Sequence, residues 1–300
     1  MHTTHTAVKH MAAQEPVPAH APVPTHEHVP THALWLACAY GLTEQARQHL
    51  ADGANIEETN LMNMFFEPGL CTPLQIAVME NRVDVVKLLL EHGANVSVLT
   101  RKHTTLHLAA THGNDAVREV VSMLLLEHGA DVSVKDEYGM SLLDICAYFG
   151  LERLAVLLIQ HGADVSNKGE DGMTALHWAS MQGKVDLISV LLKSFPDVSI
   201  KDDDGMTVLH WAAKRGHADV VRLLLQYQAN VLAETNSGET AESLATCIEN
   251  YPIVEMLQEY TVTRAKCVAF AMGHHERLGV GSRVENMDPD LLRMVLAYVE

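Results

Sequence analysis

From about residue 31 to residue 267 the apolar positions fall in short blocks, each ended by a glycine or a polar turn. "GMTALHWASMQGKVDLISVLL" (172–192) and "GMTVLHWAAKRGHADVVRLLL" (205–225) carry the same pattern twice. In each, a Thr opens a first apolar block, a Gly interrupts it, and a second block of paired aliphatics follows. Thr at a helix start can cap free N–H groups, and a Gly just past a helix suits a left-handed cap. The pattern predicts pairs of short helices whose shared apolar face, for example Val220, Val221, Leu224 and Leu225, is buried only against a neighbouring pair.

Aligned on that Thr, the chain reads His32, Thr72, Thr104, Ser141, Thr174, Thr207 and Thr240. The last three intervals are 33 residues each and Thr72 to Thr104 is 32. A fixed period with T-x-L-H, a Gly, a second helix and "HGADV" resembles the ankyrin repeat. The resemblance covers about residues 31–267 in seven units, the first and last degenerate. It implies an all-α solenoid of helix-turn-helix units with β-hairpin-like fingers. It also implies that His107, His177 and His210 are structural, bonding between the loop and neighbouring units. The family is often hydroxylated on an Asn after "DV". This chain has Ser97, Ser133, Ser166 and Ser199 there, so it is expected to be a poor substrate at those sites.

Departures from the period mark special places. Thr104 to Ser141 is 37 residues, and the four extra in "GNDAVREVVSMLLLEHG" predict a second helix longer by one turn. His32 to Thr72 is 40 residues, and the surplus makes a long first finger, "ETNLMNMFFEPGLC". Its Met64, Phe65 and Phe66 either form an interaction site or fold back over the open first unit. Phe195 and Gln228 stand where Gly93 stands in its own unit, so those two helix ends are expected to terminate differently. Asp144 and Ser243 replace the motif histidine and are expected to weaken bonding between units.

Composition narrows the function. A net charge of −17 argues against nucleic acid as the main partner. Five well-separated cysteines without a C-x-x-C pair fit reduced thiols and a cytoplasmic or nuclear setting. No apolar run is long enough for a membrane span. Residues 1–30, rich in His and Pro, are expected to be a disordered tail. No catalytic motif or cofactor site is legible, and His103, His107 and His112 are not read as a metal set, so a non-enzymatic monomer is expected. The resemblance places binding on the fingers and on the residues before the mid-unit Gly. Here these include Tyr40, Met79, Tyr148, Phe149, Met181, Lys214 and Arg215.

Residues 268–300 are read as a helical segment. Asp288 caps its last helix, Pro289 takes the first turn, and Leu291, Leu292, Val295, Leu296 and Val299 form a stripe. With Met287, Asp290 and Tyr298, this stretch resembles the opening helix of an F-box, with Asp288 in place of the usual first proline. An ankyrin array followed by a truncated F-box-like helix is similar to the poxviral ankyrin/F-box arrangement. That resemblance implies docking on the Skp linker of a cullin-RING ubiquitin ligase while the array recruits a target. The other reading is a helix that caps the last repeat.

Overall fold

The structure is a computed structural model that describes residues 33–64, 67–100, 103–136, 139–169, 171–195 and 197–277, with backbone alone at 61–64, 67–69, 100 and 265–277. The expected tail (1–30), Phe65, Phe66 and the F-box-like helix with Pro289, Leu291, Leu292, Val295, Leu296 and Tyr298 lie outside the described residues. The fold class is the expected all-α ankyrin-repeat solenoid, built from successive helix pairs. The chain divides into two compact units, up to Ala175 and from Leu176.

In the first unit the pairs are α1 (Ala33–Tyr40) and α2 (Thr43–Ala51), α3 (Pro73–Met79) and α4 (Val83–Glu91), α5 (Thr105–Thr111) and α6 (Asp115–Glu127), and α7 (Leu142–Phe149) and α8 (Glu152–Gln160). First helices pack on first helices (α1 on α3, α3 on α5, α5 on α7), and second helices on second helices. Leu34, Leu74, Leu89, Leu106, Leu125, Ile145 and Leu158 are almost wholly buried between them. This is the face that a single pair could not bury alone. The four-residue surplus does lengthen α6, which has 13 residues where α4 and α8 have nine. The first finger is an antiparallel hairpin, β1 (Asn60–Met64) with β2 (Glu67–Cys71), in which Met64 pairs with Glu67. A small pair, β3 (Leu99–Thr100) with β4 (His103–Thr104), forms the next finger.

In the second unit α9 (Ala175–Met181) and α10 (Val185–Ser194) precede α11 (Val208–Arg215), α12 (Ala218–Gln226), α13 (Ala241–Cys247) and α14 (Tyr251–Arg277). α14 runs on without a break through "TRAKCVAFAMG" to Arg277.

Helix ends follow local chemistry. Thr72, Thr104, Ser141 and Thr240 each accept a bond from the backbone N–H three residues on. Gly93, Gly129 and Gly162 take the left-handed conformation that their positions require. Phe195 ends α10 with an extended backbone, as its side chain demands. Gln228 corrects the expectation, because it adopts φ 60° and keeps the left-handed cap without a glycine. Nearby packing, with Ala229 fully buried, holds that strained turn.

The third helical residue of the first helix ties one repeat to the next finger. His177 Nε2 lies 3.2 Å from the Ile200 carbonyl, and His210 Nε2 lies 2.9 Å from that of Ala233. His210 Nδ1 accepts from the Thr207 N–H at 3.0 Å. Gln75 does both jobs with an amide: Oε1 accepts from Thr72 N–H at 3.0 Å and Nε2 donates to the Val98 carbonyl at 2.9 Å. We predict that His210→Ala lowers stability by about 1–3 kcal/mol, because buried partners lose their bonds. His210→Gln should recover more than half of that loss in urea unfolding. Equal loss in both variants would show that volume, not the bridge, matters at this position.

Candidate protein-recognition surface

The candidate residues stand just before the turn that joins the two helices of a pair. Tyr40 is 40% exposed and precedes Gly41, whose φ is 72°. A Cβ on Gly41 would sit 2.8 Å from Arg82 Cδ, so only glycine lets Arg82 reach the Ala39 carbonyl. Tyr148 and Phe149 are half-buried and meet edge to face at 5.2 Å. The Arg118 guanidinium lies 5.8 Å from the Phe149 ring centroid and is fixed by Asp115 at 3.0 Å. These contacts make a small amphipathic patch with a cation held on an aromatic face.

Lys214 and Arg215 are exposed in the second unit. They lie 5.5 and 5.9 Å from the ring of Trp211, which is itself buried and donates its indole N–H to Asp202 at 2.8 Å. A cleft of about 340 Å³ beside them is lined by Asp204, Lys214, Asn236, Ser237 and Glu239, among others. Its mixed charge suits polar groups of either sign.

Met79 and Met181 differ from expectation. They are only 8% and 5% exposed, because each packs beneath its turn and offers almost no surface. Met181 is also covered by Arg215, 3.7 Å from its sulfur, and its carbonyl is engaged by His217. Met64 belongs to β1, opposite Glu67, and Leu70 of β2, opposite Leu61, is 55% exposed.

The titratable groups of the interior are occupied with structure. His107 bonds Thr104 through Nδ1 at 2.7 Å, and its ring meets that of His103 edge-on at 6.0 Å. His112 instead faces the Leu108 carbonyl at 2.9 Å. Among the described residues no group of three or more His, Cys, Asp or Glu side chains could hold a metal ion. Cys38, Cys71 and Cys146 are buried free thiols, and burial pushes Cys38 up to about 12, where a thiolate does not form at neutral pH. Ser133, Ser166 and Ser199, standing after the "DV" valines, donate to Asp131, Asp164 and Asp197 in tight finger turns.

Asp144 is the outlier. Its carboxyl accepts from the Ser141 N–H and hydroxyl at 2.7 Å, as a histidine or glutamine would from its own cap. An ionised carboxylate has no proton to give the next finger, and Oδ1 is buried with no bonding partner. Burial pushes Asp144 up to about 7 against the pull of the Ser141 bonds and Lys135, with Asp136 adding to the rise.

Sequence reading missed three of these features. Gln75 had an available signal, since "TPLQ" aligns with T-x-L-H and an amide can both donate and accept. The Trp211–Asp202 bond and the Arg118–Phe149 stack join residues too far apart in the period to be paired by spacing.

Paired short helices, fingers and a donor bridging to the next finger define a repeat protein built for stacking. A family model described as ankyrin repeats (3 copies) matches residues 34–136, 97–168, 116–202, 142–234 and 176–267, together more than half of the chain. The chain belongs to the ankyrin-repeat family. No curated protein matches it. Ankyrin repeats are generally protein–protein interaction modules. No helix among the described residues is long and apolar enough to cross a membrane.

The pH dependence of Asp144 has a definite sign. Between about 4 and 7 the native state holds the Asp144 proton that the unfolded chain, with an ordinary value of 3.8, has released. Stability from this group is therefore lost as pH rises through that window. His107, lowered to about 4 mainly by burial, works oppositely, its contribution being lost as pH falls from 6.5 toward 4. We predict that Asp144→Asn cancels only the first effect. The variant should match the parent at pH 4.5 and exceed it by about 1–3 kcal/mol at pH 7.5 in denaturant titrations. A difference that does not change with pH would contradict this assignment.

Proposed function

We propose that the chain is a non-catalytic recognition module that binds a protein partner through its exposed pre-turn residues and fingers. One observation carries this reading: Gln75, His177 and His210 are engaged in caps and bridges, while Tyr40, Tyr148, Phe149, Lys214 and Arg215 stay at least partly accessible at the same place in their pairs. Aromatic and Arg side chains on a pre-organised scaffold are favoured interface material. Met64 and the finger residues Phe65 and Phe66 belong to the same proposal, as an apolar addition at the first finger. Met79 and Met181 are retained as supports of the turn rather than as contacts.

The second reading is a substrate-recruiting adaptor of a cullin-RING ubiquitin ligase. Its support is the F-box-like spacing of Pro289, Leu291, Leu292, Val295, Leu296 and Tyr298. In that reading the Skp linker meets the terminal helix and the repeats hold the target.

Both readings have direct tests. Proximity labelling in cells should identify partners for the parent chain that are lost with Tyr148→Ala/Phe149→Ala while the circular dichroism spectrum stays unchanged. Partners retained by a folded double variant would move the interface elsewhere. For the adaptor, calorimetry with purified Skp linker should give micromolar or tighter binding, about −8 kcal/mol, abolished in a chain ending at Asn286. No binding by the full chain would end that reading and leave the first intact.

A further inference from the structure

The cleft beside Lys214 has walls of opposite charge. Its finger wall carries Asp204 and Glu239, and its helix wall carries Lys214, the neighbour of Arg215 in α11. All four side chains are exposed, and among the described residues none of them pairs with an opposite charge. By contrast, Arg118, Arg153 and Arg222 each hold a carboxylate at 3.5 Å or less. The cleft therefore presents both signs, with neither spent on the other.

One buried carboxylate fixes both walls. Asp202 Oδ2 accepts from the Trp211 indole N–H at 2.8 Å, and the Trp211 ring carries Lys214 and Arg215 at 5.5 and 5.9 Å. Asp202 Oδ1 accepts from the backbone N–H groups of Met206 at 2.8 Å and Asp204 at 3.1 Å. Asn236 ties on the next finger, its N–H and side-chain amide donating to the Asp204 and Asp203 carbonyls at 3.0 and 2.8 Å. Gly205 permits that approach, since a Cβ there would sit 2.5 Å from Asn236 Oδ1. A ligand entering the cleft meets walls already in place, so little ordering cost opposes its binding.

We propose that this cleft holds an extended segment of a protein partner in which a basic and an acidic residue are adjacent in sequence. The inference rests on the recognition reading and deepens it. At about 340 Å³ the cleft lies at the small end of ligand sites, so it takes a few side chains and not a folded element. Successive side chains of an extended strand point to opposite faces, so neighbours reach opposite walls. The basic one meets Asp204 and Glu239, and the acidic one meets Lys214 and Arg215. A segment of one sign gains one wall and is repelled by the other, which makes the pairing of signs the source of specificity.

Selection from a phage-displayed library of random peptides on the immobilised full chain tests this. Recovered peptides should be enriched in Lys or Arg next to Asp or Glu. They should bind Lys214→Glu/Arg215→Glu about tenfold more weakly than the parent, and exchanging their acidic residue for a basic one should restore affinity for that variant. Asp204→Lys/Glu239→Lys should show the mirror behaviour at the basic residue. Peptides without the adjacent pair, or peptides that bind both variants as tightly as the parent, would overturn the cleft. So would a selection that recovers nothing. Each of these results leaves the recognition reading standing where proximity labelling still finds partners that Tyr148→Ala/Phe149→Ala loses.

Discussion

Three repeats of this chain hang on one donor: a side chain in the first turn of the first helix, Gln75, His177 or His210, that reaches the carbonyl of the next finger. The position is narrow in its chemistry. It must accept from a backbone N–H behind it and donate forward, both while buried. Neutral imidazole and a primary amide can do this, and the chain uses both, at His177, His210 and Gln75. A carboxylate can only accept, which is why Asp144 caps Ser141 well and leaves an oxygen without a partner. Ser243 is too short and turns back to its own Thr240. Satisfied buried polar groups rigidify a core, and half-satisfied ones mark where it yields.

This use of polar groups also frames function. A repeat stack is a nearly one-dimensional object whose stability is a sum of pair and neighbour terms, so chemistry in its interior serves those terms first. The histidines that might suggest a metal or a base are each committed to a cap, a carbonyl or a neighbouring ring. What remains variable from pair to pair is the short stretch before the turn. There the first unit presents an aromatic pair with a held guanidinium, and the second presents two cations over a buried tryptophan. Those are the surfaces that the proposed recognition of a protein partner would use.

Much of the fold was legible because its determinants are local and periodic. The caps at Thr72, Thr104 and Thr240, the left-handed glycines and the extra turn of α6 follow from residue type and spacing alone. The surface was less legible, because exposure is decided by neighbours that sequence spacing does not reveal. Met79 and Met181 share their repeat position with exposed Tyr40, yet they fill space under their own turns. Gln228 was misjudged for a related reason: a left-handed backbone costs about 1 kcal/mol in isolation, which surrounding packing can offset. α14 runs past residue 267 because Thr261 bonds back to the Leu257 carbonyl inside the helix instead of starting a new one, and no glycine interrupts it before Gly273.

The bridge itself can be measured finger by finger through native-state exchange of the turn amides at pH 7.5. Gly169 N–H bonds the Met173 carbonyl in the finger after α7, where Asp144 stands. Asp202 and Thr235 make the equivalent bonds in the fingers after α9 and α11, where His177 and His210 stand. If the forward donor sets local stability, Gly169 should open at least tenfold more often than the other two, about 1.4 kcal/mol less protected. Equal protection at all three amides would contradict it, and would mean that apolar stacking alone holds the fingers in place.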